Sequence, residues 1–413
     1  MNAGGAAALE RHLEDLSPIG RRPTGGYARF AWTTPDLELR EWFRTQAEVR
    51  GMDVVVDRAG NQWAWWGDPD TDGPGVVTGS HLDSVPGGGA YDGPLGVVSA
   101  FCAADELRAR DLTPAVPLGV VCFTDEEGAR FGVACVGSRV LTGALSPERA
   151  LALRDGDGST LADVLREAGR PADGAHGLAA DPEALARVGS FVELHIEQGR
   201  LLTDLARDTG RHVAVGVGEG IWPHGRWRVD LTGQADHAGT TPFDLRRDPM
   251  VELARLVLDA RTAAERHGAL ATVGKVLVDP NGVNAIPSRV SAWLDGRAAD
   301  ERQVRALLAE LEGFAPQQES WTPAVHFDAA LAARLARLVG DGSPAPVVAT
   351  GAGHDAGMLA AAGVPTAMLF VRNPTGVSHS PAEHAEPEDC LAGVAALTDV
   401  LADLTRATAG GTG

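Results

Sequence analysis

Two short apolar runs with a helical stretch between them constrain this chain more than any other feature. Gly75-Val76-Val77-Thr78-Gly79-Ser80 and Pro117-Leu118-Gly119-Val120-Val121-Cys122-Phe123 are continuous, the pattern of strands covered on both faces. The stretch 96–110 between them reads as a helix. Strand, helix and strand in that order form a βαβ unit, so the sheet is parallel or mixed and the fold class is α/β.

Runs of the same style at 190–194, 346–349 and 366–371 extend that sheet. Ahead of it, two amphipathic helical patterns occupy 6–49, and a hairpin joins 53–57 to 62–66. Near Gly210 the character changes. Trp227-Arg228-Val229-Asp230-Leu231 alternates apolar and polar, the signature of a sheet wet on one face. A long amphipathic helix at 249–267, strands at 271–278 and 289–294 and a helix at 300–311 follow. This α+β pattern reads as a domain inserted over 213–328, which splits the main domain into 1–212 and 329–413. A length of 413 residues accommodates two cores.

Composition removes several function classes. The net charge of −20 offers neither a nucleic-acid footprint nor a polybasic membrane patch, so no nucleic-acid or membrane partner is expected. Of 36 lysines and arginines, one alone, Lys275, is lysine, and no glycine-rich loop precedes it. Schiff-base enzymes and P-loop NTPases are thereby excluded, and Lys275 reads as a strand residue with its ammonium in solvent. The four cysteines have no CxxC spacing, and Cys102 and Cys122 lie in apolar runs as small core residues. With no signal-peptide pattern at the start and no run of 18 apolar residues, the expected location is cytoplasmic.

The chemistry collects just after the expected strands. His81-Leu82-Asp83 follows Ser80, and Asp92 lies eleven residues beyond His81. Asp125-Glu126-Glu127 follows Phe123, His195-Ile196-Glu197-Gln198-Gly199 follows Leu194, and Ser378-His379 comes after the last strand. Each has an ordinary reading alone: a satisfied polar residue, a solvated turn, a helix cap. Jointly they place three imidazoles and several carboxylates at the edge where open α/β sheets bind ligands. That donor set suits Zn, Mn or Co, and it exceeds one metal's needs but serves two if a carboxylate bridges. Asp83 is placed to accept from the imidazole N–H of His81 behind the metal. Of the adjacent acids Glu126 and Glu127, one can bind metal while the other takes a proton from water.

Six segments carry a family resemblance: Gly79-Ser80-His81-Leu82-Asp83-Ser84-Val85, Tyr91-Asp92-Gly93-Pro94-Leu95-Gly96-Val97, Thr124-Asp125-Glu126-Glu127-Gly128-Ala129-Arg130-Phe131, His195-Ile196-Glu197-Gln198-Gly199, His237-Ala238-Gly239-Thr240-Thr241-Pro242 and Gly351-Ala352-Gly353-His354-Asp355-Ala356. In order and over nearly the whole chain they resemble the hydantoinase/carbamoylase-type amidases of the M20 metallopeptidase superfamily. These include allantoate amidohydrolases, N-carbamoyl-L-amino acid hydrolases and β-ureidopropionases. The resemblance implies a mixed-sheet di-metal hydrolase domain with an inserted dimerisation or lid domain. It implies two divalent ions (Zn, Mn or Co), with Asp92 bridging, His81 and His195 completing one site and Glu127 and His379 the other. Glu126 would be the general base. The enzyme would be a homodimer through the inserted domain, whose His237 reaches the partner's site to stabilise an oxyanion. Asn284 and Arg297 would hold the substrate carboxylate, with Gln198 and Gly353 lining the pocket.

The activity so implied is hydrolysis of a ureido C–N bond in a small ureido-carboxylate. Allantoate comes first, with N-carbamoyl-L-amino acids or the β-ureidopropionase substrate as alternatives. A dipeptidase or aminoacylase is disfavoured because His195 stands where peptidase relatives generally place an acid. A non-catalytic binding protein is disfavoured because no ligand or base is missing. Two departures, Arg200 where many relatives have proline and the segment Arg372-Asn373-Pro374-Thr375-Gly376, bear on the pocket.

Overall fold

The apolar runs form strands buried along their whole length, Gly75–His81 and Leu118–Phe123, and the stretch between them forms the helix Pro94–Ala109. The computed structural model describes residues 3–174, 176–406 and 408–409. The chain divides into two compact units. One comprises the chain up to Glu219, His326–Val348 and the chain from Gly353; the other comprises Gly220–Val325 and Ala349–Ala352.

In the first unit four parallel strands make the centre of a mixed sheet, in the order Leu118–Phe123, Gly75–His81, Val188–Ile196, Thr366–Val371. Antiparallel strands flank them, Gln62–Trp66 and then Asp53–Val56 on one side and Val215–Ile221 on the other. Burial of all four central strands explains why they read as unbroken apolar runs rather than alternations. Pro94–Ala109 is buried almost all round and packs against the helices Pro387–Leu404 and Ala3–Leu16. Leu95, Val98, Phe101, Val192, Leu194, Leu397 and Leu401 share that core, and all four cysteines are free and buried.

One glycine decides how that helix begins. Gly93 has φ 85°, and a Cβ there would lie 2.5 Å from Cε1 of the His81 ring. Only glycine lets the helix start this close to the histidine.

The second unit is a four-stranded antiparallel sheet in the order Ala269–Asp279, Arg289–Ala298, His224–Thr232, Gln317–Thr322. The alternation along His224–Thr232 is strict: Trp227, Val229 and Leu231 point into a core with Leu253, Leu256, Val290, Leu294 and Leu307, supplied partly by the helices Pro249–His267 and Glu301–Glu310. The opposite face carries Arg226, Arg228, Trp293, Asp295 and Arg297, and there the ammonium of Lys275 sits 4.6 Å above the Trp293 ring. The units divide at 219/220 and 325/326, inside the 213–328 span read from the sequence. The difference at the first boundary arises because Val215, Gly216 and Val217 pair with Thr366–Val371. Gln317–Thr322 is a strand that the sequence reading lacks; its first four residues are polar and exposed, and Trp321 packs on the core. Among the described residues no helix is long and apolar enough to cross a membrane.

Candidate metal centre

The four parallel strands end at one edge of the sheet. His81 is the last residue of its strand, opposite Phe123, and His195 lies opposite Phe370. Glu126 and Glu127 occupy the turn after Leu118–Phe123, and His379 the loop after Thr366–Val371, with a left-handed backbone (φ 55°) uncommon for a non-glycine residue. Asp92 is delivered by the loop that leads into Pro94–Ala109.

These side chains form two trios that share Asp92: His81, Asp92 and His195, and Asp92, Glu127 and His379. Oδ1 of Asp92 lies 3.3 Å from His195 Nε2 and 3.9 Å from His81 Nε2. Oδ2 lies 3.3 Å from His379 Nε2, which is 3.5 Å from Glu127 Oε2. Both strand-end histidines are held from behind by main-chain carbonyls, His195 Nδ1 by Ile196 O at 2.9 Å and His81 Nδ1 by Asp83 O at 3.2 Å. A carbonyl can only accept, so each Nδ1 carries a proton and each Nε2 faces Asp92. The Asp83 carboxylate accepts from the amides of Glu126 and Glu127, both at 3.1 Å, and so orders the turn that carries the two acids.

The arrangement fits divalent cations. Asp83, Asp92 and Glu126 are between 3% and 6% exposed, and with Glu127 they outnumber the histidines beside them. A buried excess of negative charge is costly without a counter-cation. His195 Nε2 is buried with no hydrogen-bond partner. Burial pushes the carboxyls of Glu126 and Glu127 well above the usual range, while His81 pulls both back. At Asp92 burial acts in the same sense, but His195, His81 and His379 overcome it and hold the group below the usual carboxylate range. Glu126 is placed apart from the trios, its Oε2 3.9 Å from His81 Nε2 and its Oε1 accepting from the Cys135 thiol at 3.6 Å.

A family model for peptidases of the M20/M25/M40 group matches residues 52–403. The chain belongs to that family. Membership together with the amidohydrolases among its relatives makes the chain a hydrolase of carbon–nitrogen bonds other than peptide bonds, and the family implies divalent metal ions. The chain is 36% identical over 419 aligned positions to an N-carbamoyl-L-amino acid amidohydrolase of Geobacillus stearothermophilus, covering 96% of this chain and 98% of the relative. It is 30% identical over 413 positions to an allantoate amidohydrolase of Escherichia coli (strain K12), covering 96% and 97%. The crystal structure of a hydantoinase/carbamoylase-family amidase from Burkholderia vietnamiensis superposes with a TM-score of 0.87 at 30% identity, covering 98% and 99%.

Other residues of this M20 chain singled out from the sequence fall in different places. Gln198 joins the trios: its Nε2 donates to Asp92 Oδ2 at 2.9 Å and lies 3.3 Å from His379 Nε2. Gly353 belongs to the first unit, just before His354, the N-cap of the helix Asp355–Ala361. In the second unit Ala285 pairs with His237, and Asn284 O accepts from Ala238 N at 3.0 Å, which sets Asn284 beside His237 on exposed backbone. His237 Nδ1 accepts from Gly239 N at 3.0 Å, so in the neutral ring Nε2 bears the proton and faces outward as a donor. Arg297 is already engaged: Nε and Nη2 fork onto Asp295 at 2.6 and 3.0 Å, and Nη1 donates to Gly351 O at 2.8 Å. Two of its five N–H groups remain, one on each Nη. Sequence reasoning missed Asp295, Ser378 and Glu383. The spacing of Asp295 from Arg297, two residues apart on one face of a strand, was the available signal for the first; the other two had none.

Proposed function

We propose that this chain is a metal-dependent amidohydrolase that cleaves the ureido (carbamoyl) C–N bond of a small carboxylate, with two divalent ions, Zn, Mn or Co, in each subunit. The observation that carries the reading is the pair of trios sharing Asp92, with buried Glu126 beside them. His81, Asp92 and His195 would hold one ion and Asp92, Glu127 and His379 the other. Such ions supply Lewis acidity, which polarises a carbonyl and acidifies water.

The protein's own groups do the rest. Glu126, its proton affinity raised by burial, takes a proton from water at a carboxylate oxygen and returns it to the departing nitrogen. His237 donates from Nε2 to the oxyanion formed at the ureido carbon. Arg297, with its two remaining N–H groups, and Asn284 hold the substrate carboxylate, while Gln198 and Gly353 line the pocket. The active form is a homodimer through the second unit. Its edge strand Ala269–Asp279 exposes Leu270, Val276 and Leu277, and Pro249–His267 exposes Val251, Val257 and Leu258, an apolar surface suited to a second copy. The four free, buried cysteines accord with a reducing, cytoplasmic setting.

Allantoate is the first substrate in this reading, on the resemblance of the six segments. N-carbamoyl-L-amino acids are the second, favoured by the 36% identity to the Geobacillus enzyme against 30% to the Escherichia coli one. An ammonia-release assay with added Mn or Zn, run on allantoate and on a panel of N-carbamoyl-L-amino acids, should give metal-dependent turnover of one class. Absence of turnover on every ureido acid, with metal bound, would sink the ureido assignment.

A further inference from the structure

Asp92 is the residue on which both trios depend, and a glutamate far away in the chain fixes it. Glu383 is 6% exposed. Its Oε1 accepts from the amide of Tyr91 at 2.8 Å and from the amide of Asp92 itself at 3.0 Å. Its Oε2 accepts from the hydroxyl of Ser378 at 3.2 Å, and the same hydroxyl lies 3.1 Å from Asp92 Oδ2. The fit is close: a Cβ on Gly89 would stand 2.3 Å from Glu383 Oε1. One carboxylate therefore grips the backbone of Asp92 directly and touches its side chain through Ser378, the residue next to His379.

We infer that Glu383 is a positioning residue for the shared carboxylate: it sets the Asp92 backbone and, through Ser378, the Asp92 side chain, so that Oδ1 meets the His81–His195 position while Oδ2 meets the Glu127–His379 position. Two main-chain N–H donors on one oxygen define the direction in which Cα–Cβ of Asp92 leaves the loop. Without that acceptor the amides of Tyr91 and Asp92 lose their partner, and the loop must turn to satisfy them elsewhere. Because Asp92 serves both trios, both positions loosen together. The inference rests on the reading of the two trios as metal sites.

The test titrates metal-stripped protein with Mn alone by calorimetry, comparing wild type, Glu383→Gln and Glu383→Ala, with circular dichroism as the check on folding. Wild type should bind two ions per chain. Loss of a group that orients a metal ligand typically weakens binding about 10- to 100-fold, and Glu383→Ala should fall in that range at both positions. Glutamine keeps an oxygen for the two amides, so Glu383→Gln should rescue affinity to within a few-fold of wild type. Wild-type affinity in folded Glu383→Ala overturns the inference, as does an equal loss in both variants. If Glu383→Ala does not fold, Ser378→Ala decides: several-fold weaker binding supports the role, and unchanged binding overturns it. A wild type that binds no Mn overturns the metal reading as well, an outcome distinct from metal binding that is indifferent to Glu383.

Discussion

The two units hold their functional groups in opposite ways. In the first, His81, Asp92, Glu126 and His195 are buried and fastened by carbonyls, amides and one another. In the second, His237 and Asn284 stand exposed on a two-residue ladder, and Arg297 is oriented by a neighbouring carboxylate on an open sheet face. The contrast accords with the roles proposed for these residues. Shifting a proton or polarising a bond works best among fixed charges in a poorly screening interior. Holding a substrate carboxylate, the role proposed for Arg297 and Asn284, requires donors that it can reach, and His237, proposed to meet the oxyanion, must likewise stand where a substrate can approach it.

The largest expected effect breaks the first arrangement. Glu126→Gln should keep its metal and lose about 10²- to 10⁴-fold in kcat, the range of a general acid–base group. Loss of one ion together with activity, measured by metal analysis, would mean that Glu126 and Glu127 have each other's roles. Next comes His237→Ala, for which removal of an oxyanion donor predicts about a 10²- to 10³-fold drop in kcat. Because the residue is exposed, the melting temperature should not move; near-normal turnover would refute the role. The smallest effect sharpens the comparison. Asp295→Asn leaves Arg297 its charge but weakens its fork, so KM should rise about three- to tenfold, the worth of one or two ordinary hydrogen bonds, with kcat within a factor of two. An unchanged KM would show that the substrate does not depend on how Arg297 is held.

Much of this was legible in the sequence. Central strands covered on both faces leave continuous apolar runs, and two such runs, 75–80 and 190–194, are followed at once by a donor of the proposed metal sites, His81 and His195. Where a role depends on local order, reading along the chain suffices. It fails where partners meet only in space. Glu383 touches Asp92 across 291 positions, and nothing near either residue announces the other. Asp83 was expected to serve His81 with its carboxylate; Oδ1 does lie 3.5 Å from His81 Nδ1, but the Asp83 carbonyl comes nearer at 3.2 Å and the same carboxylate also accepts from the Glu126 and Glu127 amides. Residue type cannot distinguish a side-chain acceptor from a main-chain one. Gln317–Thr322 escaped because an edge strand that opens on four polar, exposed residues lacks the alternation by which its neighbours were read.

The tie between Glu383 and Asp92 also sets a timetable. During synthesis Glu383 emerges 291 residues after Asp92, roughly 15 to 60 s later at about 5–20 residues per second. Throughout that interval the nascent chain already carries His81, Asp92, Glu127 and, before long, His195, while the amides of Tyr91 and Asp92 await their acceptor. The centre is therefore finished from the far end of the chain, and a ribosome that stalls before residue 378 releases a polypeptide holding most of the donors but none of the residues that bring the last ligand and lock the shared one.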